Sequence, residues 1–112
     1  MEVTLRSLLD LVIERDASDL HLGVGVAPMM RVDGVLGAVR NTTPMAFEEV
    51  ERALLEVISP EQYKKFMETH ELDFSFSHVG NGVEARFRGN CYREMRGIAA
   101  AFRLIPMRIR TL

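Results

Sequence analysis

The chain has no tryptophan, one cysteine and only two lysines among its 112 residues. A single cysteine rules out an internal disulfide, so the fold must be held by packing. The lone Cys91 fits a reducing compartment. No apolar run approaches the roughly 20 residues that span a bilayer. Residues Met1 to Arg6 lack the basic start and long apolar core of a signal peptide, and the chain reads as cytoplasmic. Gly23-Val24-Gly25 lacks the third glycine and the Lys-Ser/Thr of a phosphate loop. His21, His70 and His78 include no i, i+4 pair, and Cys91 is far from all three in sequence, so spacing offers no metal site. No Ser-His-Asp or Cys-His arrangement is specific enough to argue.

What is present is an ordinary globular composition, 47% apolar and 27% charged, long enough to bury a core as one domain. The charge is unevenly spread. From Val83 to Leu112, seven arginines (Arg86, Arg88, Arg93, Arg96, Arg103, Arg108 and Arg110) meet two acids, Glu84 and Glu94, a local charge of +5. The whole chain carries −2, so residues 1–82 carry −7. Such asymmetry points to a charged partner. Nucleic acid fits poorly, because the basic stretch lacks interleaved aromatics and the chain has almost no lysine. Glu48, Glu49, Glu51 and Glu56 read as the solvated face of a helix, and the methionines, Met29-Met30 among them, as core.

Periodicity divides the chain into nine elements. Leu5, Leu8, Leu9 and Val12 keep helical spacing behind Thr4, a plausible N-cap. Asp19–Leu22 alternates as a strand does. Met29–Val32 and Val35–Val39 flank Asp33-Gly34, the signature of a two-residue hairpin turn. Thr43-Pro44 reads as the cap and first position of a second helix, with Phe47, Val50, Leu54, Val57 and Ile58 on one face. Ser59, Pro60 and Gln62 have capping-box spacing and open a third, burying Tyr63, Phe66 and Met67. Leu72, Phe74 and Phe76 mark a half-buried strand. After the Gly80–Gly82 turn, Ala85, Phe87, Gly89 and Cys91 face one way, Arg86, Arg88, Asn90 and Tyr92 the other. Arg93–Gly97 turns the chain again. Ile98, Ala100, Phe102 and Leu104 then point inward, and Ala99, Ala101 and Arg103 outward. This order predicts an α+β fold with a mainly antiparallel sheet packed by helices, in a PAS-like layout.

If the last hairpin is centred between Met95 and Arg96, Arg88 lies opposite Arg103. Like charges directly across an antiparallel pair are destabilising. Either the two arginines stand on a solvated face, or a shared anion bridges them. Guanidinium suits the second role, because it binds phosphate oxygens in bidentate fashion.

Several ordered blocks then carry a resemblance. Ala17-Ser18-Asp19-Leu20-His21-Leu22, Pro28, Arg31, Asp33-Gly34 and Glu71-Leu72-Asp73-Phe74-Ser75-Phe76 resemble the secretion ATPases of type II secretion and type IV pili. So do Ala85–Arg93, Arg96-Gly97 and Ala101–Pro106. Within that superfamily the chain looks most like the PilT-like retraction ATPases of twitching motility, and a PilU-like paralogue would read much the same. The resemblance implies that residues 1–106 form a PAS-like N-terminal domain. Residues 107–112 would begin a linker to a RecA-like ATPase domain lying beyond this sequence. It implies a homohexamer formed through that second domain, docked on an inner-membrane pilus platform protein in the cytoplasm. ATP and Mg²⁺ would belong to the full-length protein, with Arg88 and Arg103 reaching the γ-phosphate and Arg93 a possible third contact. Arg86 shares the parity of Arg88. The sequence has no Walker A or Walker B motif, so the 112 residues are expected to be an inactive piece of an ATPase. A free-standing PAS-like sensor or interaction module is the alternative. Gly89 and Cys91 depart from the larger β-branched residues common in the family, and a glycine there weakens the strand or marks a bulge.

Overall fold

The computed structural model describes residues 4–80 and 82–106. The expected linker at 107–112 lies outside the described residues. The elements run α1 (Leu5–Glu14), β1 (Asp19–Gly23), β2 (Met29–Val32), β3 (Val35–Ala38), α2 (Phe47–Leu54), α3 (Pro60–Thr69), β4 (Glu71–Gly80), β5 (Val83–Glu94) and β6 (Gly97–Ile105). This is the expected helix, three strands, two helices, three strands. All six strands form one antiparallel sheet in the order β3-β2-β1-β6-β5-β4. Two three-strand meanders thus meet along β1 and β6.

The first helix forms because every one of its leading N–H groups is satisfied. Thr4 Oγ1 accepts from Ser7 N at 3.1 Å, and Leu8 N donates to the Thr4 carbonyl at 3.2 Å. Leu5 N and Arg6 N donate to the two carboxylate oxygens of Glu56, at 2.9 and 3.1 Å. A carboxylate at a helix N-terminus also answers the positive end of the helix dipole. Glu51 accepts a hydrogen bond from the Tyr63 hydroxyl, and Glu49 Oε1 takes Ala46 N at 2.8 Å. Of the four glutamates read as a solvated face, Glu51 and Glu56 therefore tie elements together, and Glu49 caps its own helix.

The second helix begins three residues later than Thr43-Pro44 suggests. Residues before it are claimed by the loop after β1: Gly25 N donates to the Met45 carbonyl at 2.8 Å, and Met45 N to that of Val26 at 3.0 Å. Met45 is buried, Ala46 becomes the N-cap, and the helix ends at Leu54, short of Val57 and Ile58. Ser59 and Pro60 open α3 as expected, with Ser59 Oγ accepting from Gln62 N at 3.1 Å.

All three helices contribute to one core on one face of the sheet. Leu5, Leu9 and Val12 of α1, Val50 and Leu54 of α2 and Phe66 of α3 share it with Leu20, Phe87, Cys91, Ile98 and Phe102. The rings of Phe74, Phe76, Phe87 and Phe102 form an aromatic patch with centroids 5.7 to 6.2 Å apart. Edge-to-face and offset contacts of this kind add to plain area burial. Gly89 shows no bulge: it pairs regularly with Phe74 on one side and Phe102 on the other. A Cβ at Gly89 would lie within 3.0 Å of three Phe74 ring carbons, so the missing side chain is the space the ring occupies. The last turn is tighter than expected, Met95-Arg96 alone, because the strands persist to Glu94 and from Gly97. Ala99 has the outward parity expected but is buried. The loop after β1 folds over that corner, placing Val26 Cγ2 3.3 Å from an ideal Cβ on neighbouring Gly23.

Replacing Gly89 with valine should expel the Phe74 ring and destabilise the domain by about 1–3 kcal/mol, the usual cost of overpacking. A denaturant midpoint equal to that of the parent chain would show that the ring relocates without cost.

Candidate functional site

The second sheet face carries no helix among the described elements. Its side chains follow directly from strand register. Across five strands runs the row Arg31 (β2), Asp19 (β1), Arg103 (β6), Arg88 (β5) and Ser75 (β4). One step along lies the row His21, Ala101, Asn90 and Asp73. The Ala101 methyl between His21 and Asn90 leaves a hollow of about 310 Å³, walled by Asp19, His21, Asp73, Arg88 and Arg103.

Arg88 and Arg103 are direct cross-strand partners, as centring the hairpin between Met95 and Arg96 requires. Both are exposed. Their surroundings differ. Arg88 Nε lies 3.3 Å from Asp73 Oδ1, and Nη2 3.4 Å from Oδ2. Arg103 has no ion pair or side-chain hydrogen bond among the described residues, although Asp19 is its partner on β1. Arg86 shares the face and donates to the Ser75 and Ser77 hydroxyls at 3.3 Å each.

The third expected arginine is elsewhere. Arg93 pairs with Ile98 and has the parity of Cys91, which turns it toward the helix-covered side, near Tyr63 of α3. The odd spacing between 88 and 93 forbids a shared face in an unbroken strand.

Asp19 is the one buried charged side chain among the described residues. Ser18 Oγ donates to its Oδ1, His21 Nε2 lies 2.9 Å from Oδ2, and Arg31 Nε donates to Oδ2 at 3.3 Å. Burial pushes its carboxyl pKa up. The hydrogen bonds from Ser18, His21 and Arg31 outweigh that and hold it below the ordinary carboxylate value. Asp19 was legible only as part of a motif, although an acid alternating with buried Leu20 and Leu22 next to buried Ala17 marks a carboxylate that needs partners. Cys91 is buried, and burial, with the Asp73 charge behind it, pushes its thiol up to about 11. It is an inert core group. Among the described residues no three His, Cys, Asp or Glu side chains gather as a metal site. No described helix is long and apolar enough to cross a membrane.

No family model matches the chain. Individual relatives do. The type IV pilus retraction ATPase PilT of Pseudomonas aeruginosa is 38% identical over all 112 residues, which cover 31% of that relative. The type IV pilus ATPase PilU of the same organism is 34% identical over 94% of this chain and 26% of its own length. A crystal structure of the pilus retraction motor PilT with bound ADP superposes with a TM-score of 0.83 at 31% identity, over 97% of this chain and 31% of that one. In sequence and in fold the chain matches the N-terminal domain of the PilT-like secretion ATPases. The ATPase DotB of Legionella pneumophila shares the fold, with a TM-score of 0.78 at 19% identity over 95% of this chain and 31% of that one. The chain thus spans less than a third of the length of these PilT-like relatives.

A lowered Asp19 pKa stabilises the fold above the unfolded carboxylate value, near 4, and that contribution is lost as pH falls through the folded value. Asp19→Asn should therefore cost about 1.5–3 kcal/mol at neutral pH, as charged hydrogen bonds do. It should also flatten the stability decline as pH falls below the unfolded carboxylate value, near 4. Parallel acid-unfolding curves for the two chains would contradict this.

Proposed function

We propose that this domain supplies Arg88 and Arg103 to the γ-phosphate of ATP held by a RecA-like domain beyond this segment, in a pilus retraction motor of twitching motility. The observation that carries the reading is the cross-strand pairing of Arg88 and Arg103 on the exposed sheet face. Two adjacent guanidinium groups with no helix over them present forked donors to a facing surface. The similarity to PilT, a retraction ATPase solved with ADP, supports a nucleotide phosphate as what that surface would offer.

In this reading the two arginines neutralise charge developing on the equatorial oxygens of the transferred phosphoryl group. They also link nucleotide state to closure of the two domains, because the phosphate is met only when the sheet face swings onto it. The donor set fits phosphate oxygens and does not fit a cation. Mg²⁺ would be held by the nucleotide and residues outside this segment. Arg93, turned to the helix side, would meet the nucleotide only around the end of the hairpin, so the proposal rests on Arg88 and Arg103. The parent protein would assemble as a homohexamer in the cytoplasm, against an inner-membrane platform protein.

In the full-length protein, Arg88→Ala and Arg103→Ala should each lower kcat for ATP hydrolysis by about 10³-fold, the scale of a lost arginine finger. Thermal stability should stay close to the parent, since both side chains are exposed. Unchanged kcat in both variants would refute the assignment.

A further inference from the structure

Resting on the reading just proposed, we propose that Asp73 is a latch on Arg88, a carboxylate that the phosphate must displace before the arginine can act. The geometry is that of an internal substitute for phosphate. Arg88 engages Asp73 through Nε and Nη2, the side-on edge of the guanidinium, against both carboxylate oxygens. That edge is one that binds phosphate oxygens in pairs. The same donors cannot serve both groups at full strength.

The strand pairing explains why Asp73 holds this position. Arg88 lies directly opposite Ser75, but the Ser75 hydroxyl already accepts from Arg86 Nη2 at 3.3 Å. Arg86 also takes Ser77, so both arginines lean the same way along β4 and Arg88 reaches the next outward residue, Asp73. Asp73 is paired in the ladder with Asn90, which fixes its backbone. The latch is built into β4 rather than carried by a loop.

The pair is also built to open. Its side chains are 68% and 55% exposed, at distances near the long end for a charged hydrogen bond. Exposed pairs of this kind are weak and screened by salt. Asp73 also walls the hollow beside Arg88 and Arg103, so the latch stands where a phosphate reaching for both arginines would arrive. Arg103 has no such restraint among the described residues. One arginine of the pair is ready, and the other must be released.

The test is steady-state ATP hydrolysis by the full-length protein. Asp73→Asn keeps the side-chain size and removes the charge. It should lower KM for ATP about two- to fivefold, the scale of an exposed ion pair, without lowering kcat. Asp73→Glu, which keeps a carboxylate within reach, should remain near the parent. In an Arg88→Ala background the Asp73→Asn effect should vanish; in an Arg103→Ala background it should persist. A merely structural role would instead move thermal stability and kcat. If Arg88→Ala lowers kcat but Asp73→Asn leaves KM unmoved or raised, or if the KM drop survives Arg88→Ala, the latch is wrong and the catalytic reading stands. If Arg88→Ala leaves kcat unchanged, the catalytic reading itself has failed.

Discussion

The pairing of β1 with β6 is the contact on which everything else depends. It joins residues about eighty positions apart and turns two separate meanders into one sheet. Closing so long a loop costs entropy, and no local signal compels it. The compensation lies on the helix side. Leu20 and Phe102, direct partners across this junction, are both fully buried in the core that α1, which precedes β1, shares with α2 and α3, which lie between β1 and β6 in sequence. The same pairing, read on the opposite face, brings Asp19 against Arg103. Site and core are two faces of one register, and a slip of one residue would exchange them.

That register is held from the β5 side by a void rather than by a contact. Gly89 leaves its inner face to the Phe74 ring, which in turn meets Phe76 and Phe102. Any side chain there would displace that ring from the β5 surface. Arg88 is the next residue along, so the ring that fills the glycine space also fixes where the guanidinium emerges. Two arginines side by side cost little in such a place, because both are solvated and carboxylates stand on either flank of the pair.

Much of this was legible from residues alone, for identifiable reasons. Turn chemistry located the hairpins: Asp33 and Gly34 both adopt positive φ, as their dipeptide demands. Alternation assigned the faces of β4, β5 and β6, and symmetry about Met95-Arg96 placed Arg88 against Arg103. What failed was whatever depended on a distant segment. Thr43-Pro44 looked like a helix start because local capping chemistry allows it, but the chain there is tied to Gly25 and Val26. Glu56 looked solvated because its partners, two N–H groups at the head of α1, lie fifty residues earlier. Asp73 carried no sign of its bond to Arg88, since a diagonal contact between strands depends on which neighbours are already occupied. The placement of Arg93 was available, because the parity of its spacing from Arg88 settles it.

The charge asymmetry also takes a different meaning once folded. Along the sequence, an acidic stretch precedes a basic one, and the chain looks like a dipole seeking a partner. An antiparallel sheet with β6 at its centre interleaves the two. Asp19 and Asp73, from the acidic part, flank Arg103 and Arg88, from the basic part. Much of the apparent dipole is therefore answered within the domain. What remains outward at the paired arginines is narrower: Arg103, with no ion pair or side-chain hydrogen bond among the described residues, and beside it Arg88, held by an exposed carboxylate. A surface that simply attracted anions would have left both arginines unpaired. A surface that only stabilised its own fold would have paired both. This face does one of each, which is the arrangement expected where an anion is admitted and its arrival changes a contact.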